Sequence, residues 1–381
     1  IAAAKKWQTY RTKQQRAVTI VVVTDEAGSD AAANLEAAIL ETKRFGMKCF
    51  VIGEGAPLGR EKVESMFTLD SGETVIGVMD RGPESYFQER LRLAFWGVNG
   101  YDLDSMPSGF GPYGLTRLCA ETNGLYLISE VDNKFSDRID PIVMRSYPPD
   151  YRPIPMLQRD IESNLAKRAV FEVCKKYQVE NLPIPTDRFP AENDTVLKQN
   201  ITDAQKPLAE LDYKLDGILK MLEAGEKDRA KIQDPRWRAI YDLTMGRVLA
   251  MRVRSYGYNM MLAEMKASPK QFEKKESNLW TLKASKDITS GPASKKMANK
   301  AQEYLKRVID EHAGTPWAVL AEREYSTQLG WEWKEGSYNT QQKNMGNNKE
   351  KKAPRFVEDV DPKTGKKTKR QLPDQPVRRE I

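Results

Sequence analysis

The sequence predicts an α/β protein in which a partial doubly wound parallel sheet is followed by an α-helical region and a disordered basic tail. Residues 18–23 and 47–52 form two apolar runs separated by an amphipathic stretch, which is typical of a strand–helix–strand crossover. Beyond Pro207 the apolar residues recur at helical spacing. From residue 337 onward the chain is rich in Lys, Asn, Pro and Gln, a composition that favours disorder.

The front third predicts the sheet element by element. Residues 18–23 are β-branched throughout, as expected for a strand that is covered on both faces of a parallel sheet. Ser29 or Asp30 can cap the helix that follows, and Phe45 with Gly46 ends it. The further elements predicted in this part are a β-hairpin over 64–79, a helix over 113–121 and a buried strand over 125–128.

The rest of the chain predicts helices. Prolines recur between residues 132 and 207, which indicates an irregular connector with one helix over 157–177. Helical spacing then predicts helices near 208–222, 235–266, 294–312 and 316–328. The predicted organisation is a partial α/β domain over 1–135, a proline-rich connector over 136–206, an α-helical repeat-like domain over 207–336 and a disordered basic tail over 337–381.

The net charge of +7 lies mostly in the tail. From residue 337 onward there are 12 Lys and Arg against 6 Asp and Glu, so the remaining chain is close to neutral. Such a tail cannot bury enough apolar surface to offset its ordering entropy. Two interpretations stay open, a solvated tail and a tail that associates with nucleic acid or another anionic surface. The basic residues are not interleaved with the aromatic ones that base stacking uses, so we expect no specific nucleic-acid binding.

No run approaches the roughly 20 apolar residues that a membrane-spanning helix needs, so no span is predicted. The chain begins with Ile1 and shows no signal-peptide core before Lys5 and Lys6. We expect that a preceding segment belongs to the natural protein. The compartment therefore stays open, with export or attachment to the cell envelope as the expectation if that segment carries a signal peptide.

The cysteines and the histidine indicate no catalytic or zinc site. Cys49, Cys119 and Cys174 are widely spaced and form no CxxC pair, so we expect three small buried side chains. His312 is the only histidine, which excludes any site built from several histidines. It stands next to a predicted helix end, where we expect a solvated capping role. The sequence thus contains no catalytic constellation, and we predict that the protein is not an enzyme.

Thr24 and Asp25 are the candidate site residues. They follow the first predicted strand, and ligands of open α/β sheets bind outside the carboxyl ends of the strands. One interpretation of Asp25 is that its carboxylate contributes to such a ligand site. A second interpretation is that it caps the next helix, where free backbone amides and the helix dipole favour negative charge.

Three segments of the front third resemble, in their order, the second half of a von Willebrand factor A-type (VWA) domain. They are TIVVVTDEAGSD, MKCFVIGEGAPLG and YGLTRLCAETNGLYLIS, and the match covers roughly residues 15–130. The resemblance implies a metal-ion-dependent adhesion site, in which a DxSxS loop, a threonine of a second loop and an aspartate of a third loop hold the cation. Asp25, preceded by Thr24, matches the third loop, and no DxSxS motif occurs in the chain. The other residues of the resemblance are Leu115, Leu118, Ala120, Gly124 and Tyr126.

The metal site is therefore expected to be incomplete in this chain. Magnesium needs near-octahedral oxygen coordination, for which one aspartate and one threonine are too few. We expect Mg²⁺ to bind in a fuller-length protein and not tightly to this chain. The resemblance implies a non-enzymatic binding or scaffold protein whose VWA-like domain contacts a protein partner.

Near the other end, AQEYLKRVIDEHAGTPWAVLAEREYSTQLGWEW resembles a tetratricopeptide-type helical hairpin. Gly314 breaks the first helix and Pro316 starts the second, where proline is tolerated in the first turn. We expect three residues of the second helix to face the first one. The resemblance implies a surface for a partner, and a helical cap that completes the core is the alternative. The three residues are Trp317, Leu320 and Ala321.

An alternative from another class is a nucleotide-binding α/β enzyme. Gly53, Gly55 and Gly59 form GxGxxxG, which is one residue longer than the dinucleotide fingerprint GxGxxG. Pro57 lies inside the loop, where backbone amides should face phosphate. The fingerprint also requires that a helix follows the glycines.

Overall fold

Helices account for most of the regular structure in the described residues, and the strands there form four small sheets. The structure is a computed structural model. It describes residues 1–24, 27, 31–59, 62–68, 74–93, 106–129, 138–177 and 185–337, and the strands 356–360, 367–371 and 377–380.

The front third contains a parallel sheet, as predicted. The strand order is β1-β2-β5, and both strand pairs are parallel. The strands β3 and β4 form the predicted antiparallel hairpin. In chain order the elements are α1 (Ala2–Thr12), β1 (Thr19–Thr24), α2 (Ala31–Arg44), β2 (Lys48–Gly53), β3 (Lys62–Thr68), β4 (Thr74–Asp80), α3 (Tyr113–Glu121) and β5 (Tyr126–Ile128).

One face of this sheet is covered and the other is not. Cys49 and Val51 of β2 pack with Cys119 of α3 in a small buried cluster, to which alternate residues of β1 contribute. Val21 and Val23 lie on the opposite face, where they are 58% and 75% exposed. The prediction that both faces of the first strand are covered is therefore wrong. Its apolar run is continuous. The residue types alone therefore do not distinguish a strand that is covered on both faces from one that is covered on a single face.

The predicted connector is richer in structure than expected. The single helix predicted over 157–177 is two helices, because Asn164 leaves the helical conformation and caps the second one through bonds from the amides of Ala166 and Lys167. The helix predicted over 208–222 begins 14 residues earlier and runs through Pro207, so the predicted domain limit at 206 lies inside it. The elements are α4 (Pro141–Met144), α5 (Ile154–Ser163), α6 (Leu165–Lys176), β6 (Arg188–Pro190) and α7 (Asp194–Gly225).

The helical region is arranged around one long helix. After a 3₁₀ turn (Glu226–Lys231), α8 contacts α6, α7, α9, α10 and β8. Its buried residues lie on all sides, as expected for a helix in the centre of a core. The limits of α8, α9 and α10 agree with the predicted helices to within about two residues, which is the usual uncertainty of helix ends. The elements are α8 (Pro235–Ala267), β7 (Leu279–Ser285), α9 (Pro292–Glu311), α10 (Pro316–Ser326) and β8 (Gly330–Gly336).

A three-stranded antiparallel sheet, β6-β7-β8, was not predicted. It packs against α8 through two tryptophans of β8. The indole N–H of Trp331 donates to the carbonyl of Arg254 at 2.9 Å, and that of Trp333 donates to the carbonyl of Met261 at 3.4 Å. The alternation of tryptophan with charged residues in GWEWKEG is the strand signal that indicates this sheet.

The described residues of the tail include three strands, β9 (Phe356–Val360), β10 (Lys367–Gln371) and β11 (Val377–Glu380). The first two form an antiparallel pair, and β11 pairs in parallel with β4. In these described segments the chain differs from the predicted disordered tail. Backbone pairing gives a physical reason, because a strand that joins a sheet satisfies its amides and carbonyls without needing a large apolar content.

A buried ion cluster joins the front third to the helical region. Arg236, in the first turn of α8, is 1% exposed and contacts Glu84 at 3.1 Å and Glu89 at 2.8 Å. Its guanidinium also lies 5.1 Å from the ring centroid of Trp317. Because buried charges are costly unless they are paired, these contacts fix the position of the segment after β4 on the helices.

Candidate functional site

The carboxyl edge of the parallel sheet is the predicted site, and the structure describes it in part. Thr24 is the last residue of β1 and lies opposite Gly53, the last residue of β2. A side chain on Gly53 would come within 2.7 Å of the Thr24 carbonyl and 2.5 Å of the Tyr126 hydroxyl, so the strands approach closely here. Asp25 lies outside the described residues, as do the predicted capping residues Ser29 and Asp30.

Side chains that sequence reasoning missed fill this edge. Glu54 follows β2 and forms an ion pair with Arg81, which follows β4. The Tyr126 hydroxyl donates to the Glu54 carbonyl at 2.7 Å, and burial raises the pKa of this tyrosine to about 12. The Asp80 carbonyl accepts from the amide of Ala27 at 3.0 Å, which brings β4 against the chain just beyond β1.

The described residues do not form a magnesium site. Among them there is no group of three or more His, Cys, Asp or Glu side chains that could hold a metal ion. At this edge Glu54 is neutralised by Arg81, and Asp80 Oδ1 accepts from the amide of Gly82 at 3.0 Å. The predicted ligand Asp25 is outside the described residues, so its role stays a prediction.

The uncovered face of the sheet is a continuous apolar surface. In register, Val21 lies beside Phe50, and Val23 lies beside Ile52, which in turn lies beside Leu127. Leu127 is 48% exposed, and the two β2 residues are half-buried. In the described part of the chain β1 pairs with β2 alone, so its outer edge carries no strand. We call this surface the open face. It consists of Val21, Val23, Phe50, Ile52, Leu125 and Leu127.

No family model, no curated protein and no solved structure matches this chain. Within the described residues, no helix is long and apolar enough to cross a membrane.

The glycine-rich loop after β2 has a structural use. The next described element is the strand β3 and not the helix that a dinucleotide fingerprint requires. The amide of Gly59 donates to both carboxylate oxygens of Glu84, at 2.9 and 3.1 Å, and is therefore not free for a phosphate. This arrangement does not favour the nucleotide-binding alternative.

His312 ends α9 as predicted, but it is buried and not solvated. It is 2% exposed, and its Nδ1 lies 2.9 Å from the Tyr147 hydroxyl. The predicted solvated role is wrong because α4 and the segment after it cover this helix end, with Tyr147 stacked on Trp317. Burial lowers the pKa of His312 to about 4, so the ring is neutral at physiological pH.

All three cysteines are buried and free, as predicted. Cys49 and Cys119 are hydrogen-bonded to each other across the interface of β2 and α3, and this bond with burial raises the pKa of Cys119 well above its ordinary value. Burial, with the nearby charge of Glu89 as a smaller contribution, raises the pKa of Cys174 in the same direction. Thiols that stay protonated are poor nucleophiles, so Cys119 and Cys174 serve in packing. The bond with Cys119 lowers the pKa of Cys49, but this side chain is 2% exposed and belongs to the same buried cluster.

The predicted helical hairpin near the other end is present. Gly314 adopts a positive φ of 76°, and the Thr315 hydroxyl caps α10 by accepting from the amide of Ala318. The three residues expected to face α9 are buried, and α10 packs on both α8 and α9. They are Trp317, Leu320 and Ala321.

A simple rule would have found part of the missed site. Glu54 follows β2 as Asp25 follows β1, and the carboxyl ends of parallel strands meet at one edge. Arg81 carries no comparable signal, since its place at this edge depends on the path of the chain after β4. The sequence does not distinguish the open face from a buried face, because the residues of the open face are as apolar as those of the covered face.

Proposed function

We propose that the chain is a non-enzymatic binding or scaffold protein whose VWA-like front third takes a protein partner on the open face and along the outer edge of β1. The observation that carries this proposal is the exposure of Val21 and Val23, beside Leu125 at 61% and Leu127 at 48%. Strands of parallel sheets are normally buried on both faces. A contiguous exposed apolar surface of this kind is typical of an interaction site.

Burial of the open face supplies a favourable free energy for binding. Covering a fully exposed valine or leucine contributes about 1.5–3 kcal/mol. Among the described residues no strand lies beside the outer edge of β1, and a partner strand that extends the sheet there would add directional hydrogen bonds. Both contributions are available at the same place, which favours a folded polypeptide as the partner over a small ligand.

A site-specific photo-crosslink tests the proposal. A benzoylphenylalanine at position 23 should give a discrete protein adduct in cells of the source organism, and the additional change Val21→Lys should abolish it. Leu40 on α2 is the matched control, since it is 68% exposed and lies on a helix away from the open face. Equal adducts from positions 23 and 40, or no adduct from position 23, would reject the proposal.

The metal part of the proposal has its own test. If Asp25 belongs to an adhesion-type site that the intact protein completes, the adduct at position 23 should require Mg²⁺ or Mn²⁺ and disappear in Asp25→Ala. Asp30→Ala is the control, since it removes a nearby acidic residue that has no match among the metal ligands. If the adduct persists in excess EDTA, binding does not require the metal, and the apolar surface is the binding determinant.

A further inference from the structure

The first helix, α1, and the turn after it form a basic surface. Residues 1–24 contain five Lys and Arg and no Asp or Glu. Within α1 only Ala4 is buried, and the helix packs on α2. Positive charge is therefore concentrated on a part of the chain that faces solvent. The five basic residues are Lys5, Lys6, Arg11, Lys13 and Arg16.

No described acidic side chain neutralises this charge. Within the described ranges, none of the five basic side chains forms an ion pair. Two acidic side chains of the neighbouring helices pair elsewhere, Glu41 with Arg44 at 4.0 Å and Glu121 with Lys43 at 2.7 Å. The first turn of α1 contains no acidic residue either. The positive potential of α1 is thus available to an anionic partner.

The stability of the helix explains only some of these charges. Basic side chains at the carboxyl end, such as Arg11 and Lys13, stabilise a helix through its dipole. Lys5 and Lys6 lie near the amino end, where the same dipole disfavours positive charge. These two lysines therefore have no role in stabilising α1, whereas both suit the binding of an anion.

Two exposed aromatic rings lie among these charges. Trp7 and Tyr10 are 42% and 37% exposed, and their ring centroids are 4.9 Å apart. Lys6 Nζ lies 5.8 Å from the centroid of the Trp7 ring. Lys13 follows Tyr10 by three residues and so lies on the same side of the helix. We call this surface the α1 face. It consists of Lys6, Trp7, Tyr10 and Lys13.

The turn after α1 adds a further cation at this end of the helix. Gln15 adopts a positive φ of 54°, and the amide of Gln14 donates to the Thr9 carbonyl at 3.2 Å. The amide of Arg16 donates to the Tyr10 carbonyl at 3.0 Å. These hydrogen bonds close the helix and hold the backbone of Arg16 beside the last turn of α1.

The α1 face suits phosphates and bases better than it suits a membrane. The range Ala2–Thr12 contains no Leu, Val, Ile, Phe or Met, so α1 lacks the wide apolar face of a helix that lies on a membrane. Single-stranded nucleic acid combines a charged backbone with unpaired bases that stack on aromatic rings. Such stacking does not depend on the identity of the base, which agrees with the expectation of no specific nucleic-acid binding.

We propose that α1 binds single-stranded nucleic acid without sequence preference. Bases stack on Trp7 and Tyr10, and the phosphates beside them contact Lys6, Lys13 and Arg16. The ammonium of Lys6 lies next to the Trp7 ring, so a phosphate that it binds brings the attached base to that ring. This site shares no residue with the open face and does not depend on the proposed function.

Fluorescence anisotropy of a labelled oligothymidylate of about 12 nucleotides tests the proposal on the full chain. Binding should be saturable, with a Kd of about 1–100 µM at physiological salt. With three phosphate contacts, the slope of log K against log salt concentration should be about −2. A duplex of the same length has no bases free for stacking and should bind more weakly. No binding of the single strand, or equal binding of the duplex, would overturn the proposal.

Two double variants make the test specific. Trp7→Ala with Tyr10→Ala keeps every charge, and we expect a loss of at least about tenfold in affinity with an unchanged salt slope. Lys6→Gln with Lys13→Gln keeps both rings and should reduce the salt slope to about −1. The control is Lys295→Gln with Lys296→Gln, which removes two adjacent exposed lysines from α9 and should change the affinity less than about threefold.

The changed side chains are all exposed, so the circular dichroism spectrum of each variant should match that of wild type. Unchanged affinity in the variant without the two rings would place the contact elsewhere, for example on the basic tail, and would overturn the proposal. Vesicles of phosphatidylcholine and phosphatidylserine in equal parts test the other anionic surface. Co-sedimentation with these vesicles, together with no binding of the oligonucleotide, would assign the α1 face to a membrane instead.

Discussion

Individual buried side chains set how stability depends on pH. His312 is neutral in the folded chain because burial lowers its pKa from the ordinary 6.5 to about 4. The unfolded chain takes up a proton on this residue below pH 6.5, and the folded chain does so only near pH 4. The contribution of the neutral His312 ring to the free energy of unfolding is therefore fully present above pH 6.5 and is lost as the pH falls towards 4.

We predict that His312→Gln removes this part of the pH dependence. Glutamine can keep an acceptor for the Tyr147 hydroxyl but does not titrate. At about 1.4 kcal/mol for each pKa unit, wild type should lose about 3 kcal/mol more than the variant between about pH 7.5 and about pH 4. Urea unfolding of both proteins across this range measures the difference. Parallel stability curves would contradict the prediction.

Glu324 of α10 gives a second prediction for a single residue. It is 5% exposed and binds two arginines of α8, Arg254 and, at 3.3 Å, Arg247. Glu324→Gln leaves both guanidinium groups without a counter-charge, and we expect a loss of about 3–5 kcal/mol in the free energy of unfolding. Asp310→Asn is the control, because it breaks only the exposed pair with Lys306 and should cost less than about 0.5 kcal/mol.

At the scale of elements, the break between α5 and α6 depends on one side chain. Asn164 caps α6 with its oxygen, and its amide nitrogen donates to the Asp228 carbonyl at 3.2 Å. We predict that Asn164→Ala costs about 2 kcal/mol, whereas Asn164→Ser, which keeps a capping oxygen, costs about half as much. Thermal unfolding monitored by circular dichroism measures both. Equal costs would show that the cap contributes little.

Some elements could be predicted from the sequence because their signals are local. The helix α3 has its predicted limits, and α8 is recognisable from its apolar residues and from Pro235 at its start. Other features depend on contacts between distant parts of the chain. The course of α7 through Pro207 is stabilised by buried residues on both sides of it, and the ion pair of Glu54 with Arg81 depends on the path after β4. Neither feature can be predicted from the spacing of residue types along the chain.

At the scale of the whole molecule, Arg236 joins the two halves of the chain. We predict that Arg236→Met destabilises the protein by about 3–5 kcal/mol, since it leaves Glu84 and Glu89 buried without a cation. The loss should be smaller at about pH 5 than at about pH 8. Burial already raises the pKa of Glu89, and without the arginine that opposes this effect the pKa rises further above the unfolded value, so the unfavourable contribution of Glu89 grows as the pH rises.

Chemical denaturation of Arg236→Met at both pH values measures this effect. Combining it with Glu84→Gln and Glu89→Gln removes the uncompensated charges, and we expect the triple variant to recover more than half of the lost stability. An equal loss at both pH values, or no recovery in the triple variant, would show that Arg236 acts mainly through its packing on Trp317.

The central position of α8 has a consequence for the order in which the protein can fold during its synthesis. In a tandem-repeat protein each unit contacts only its neighbours, so structure can accumulate as the chain leaves the ribosome. Here α8 is enclosed by α6 and α7, which are made before it, and by α9, α10 and β8, which are made after it. Its apolar surface stays partly uncovered until residue 336 has emerged. Nascent chains that end between 268 and 330 are therefore the ones that most need protection by a chaperone.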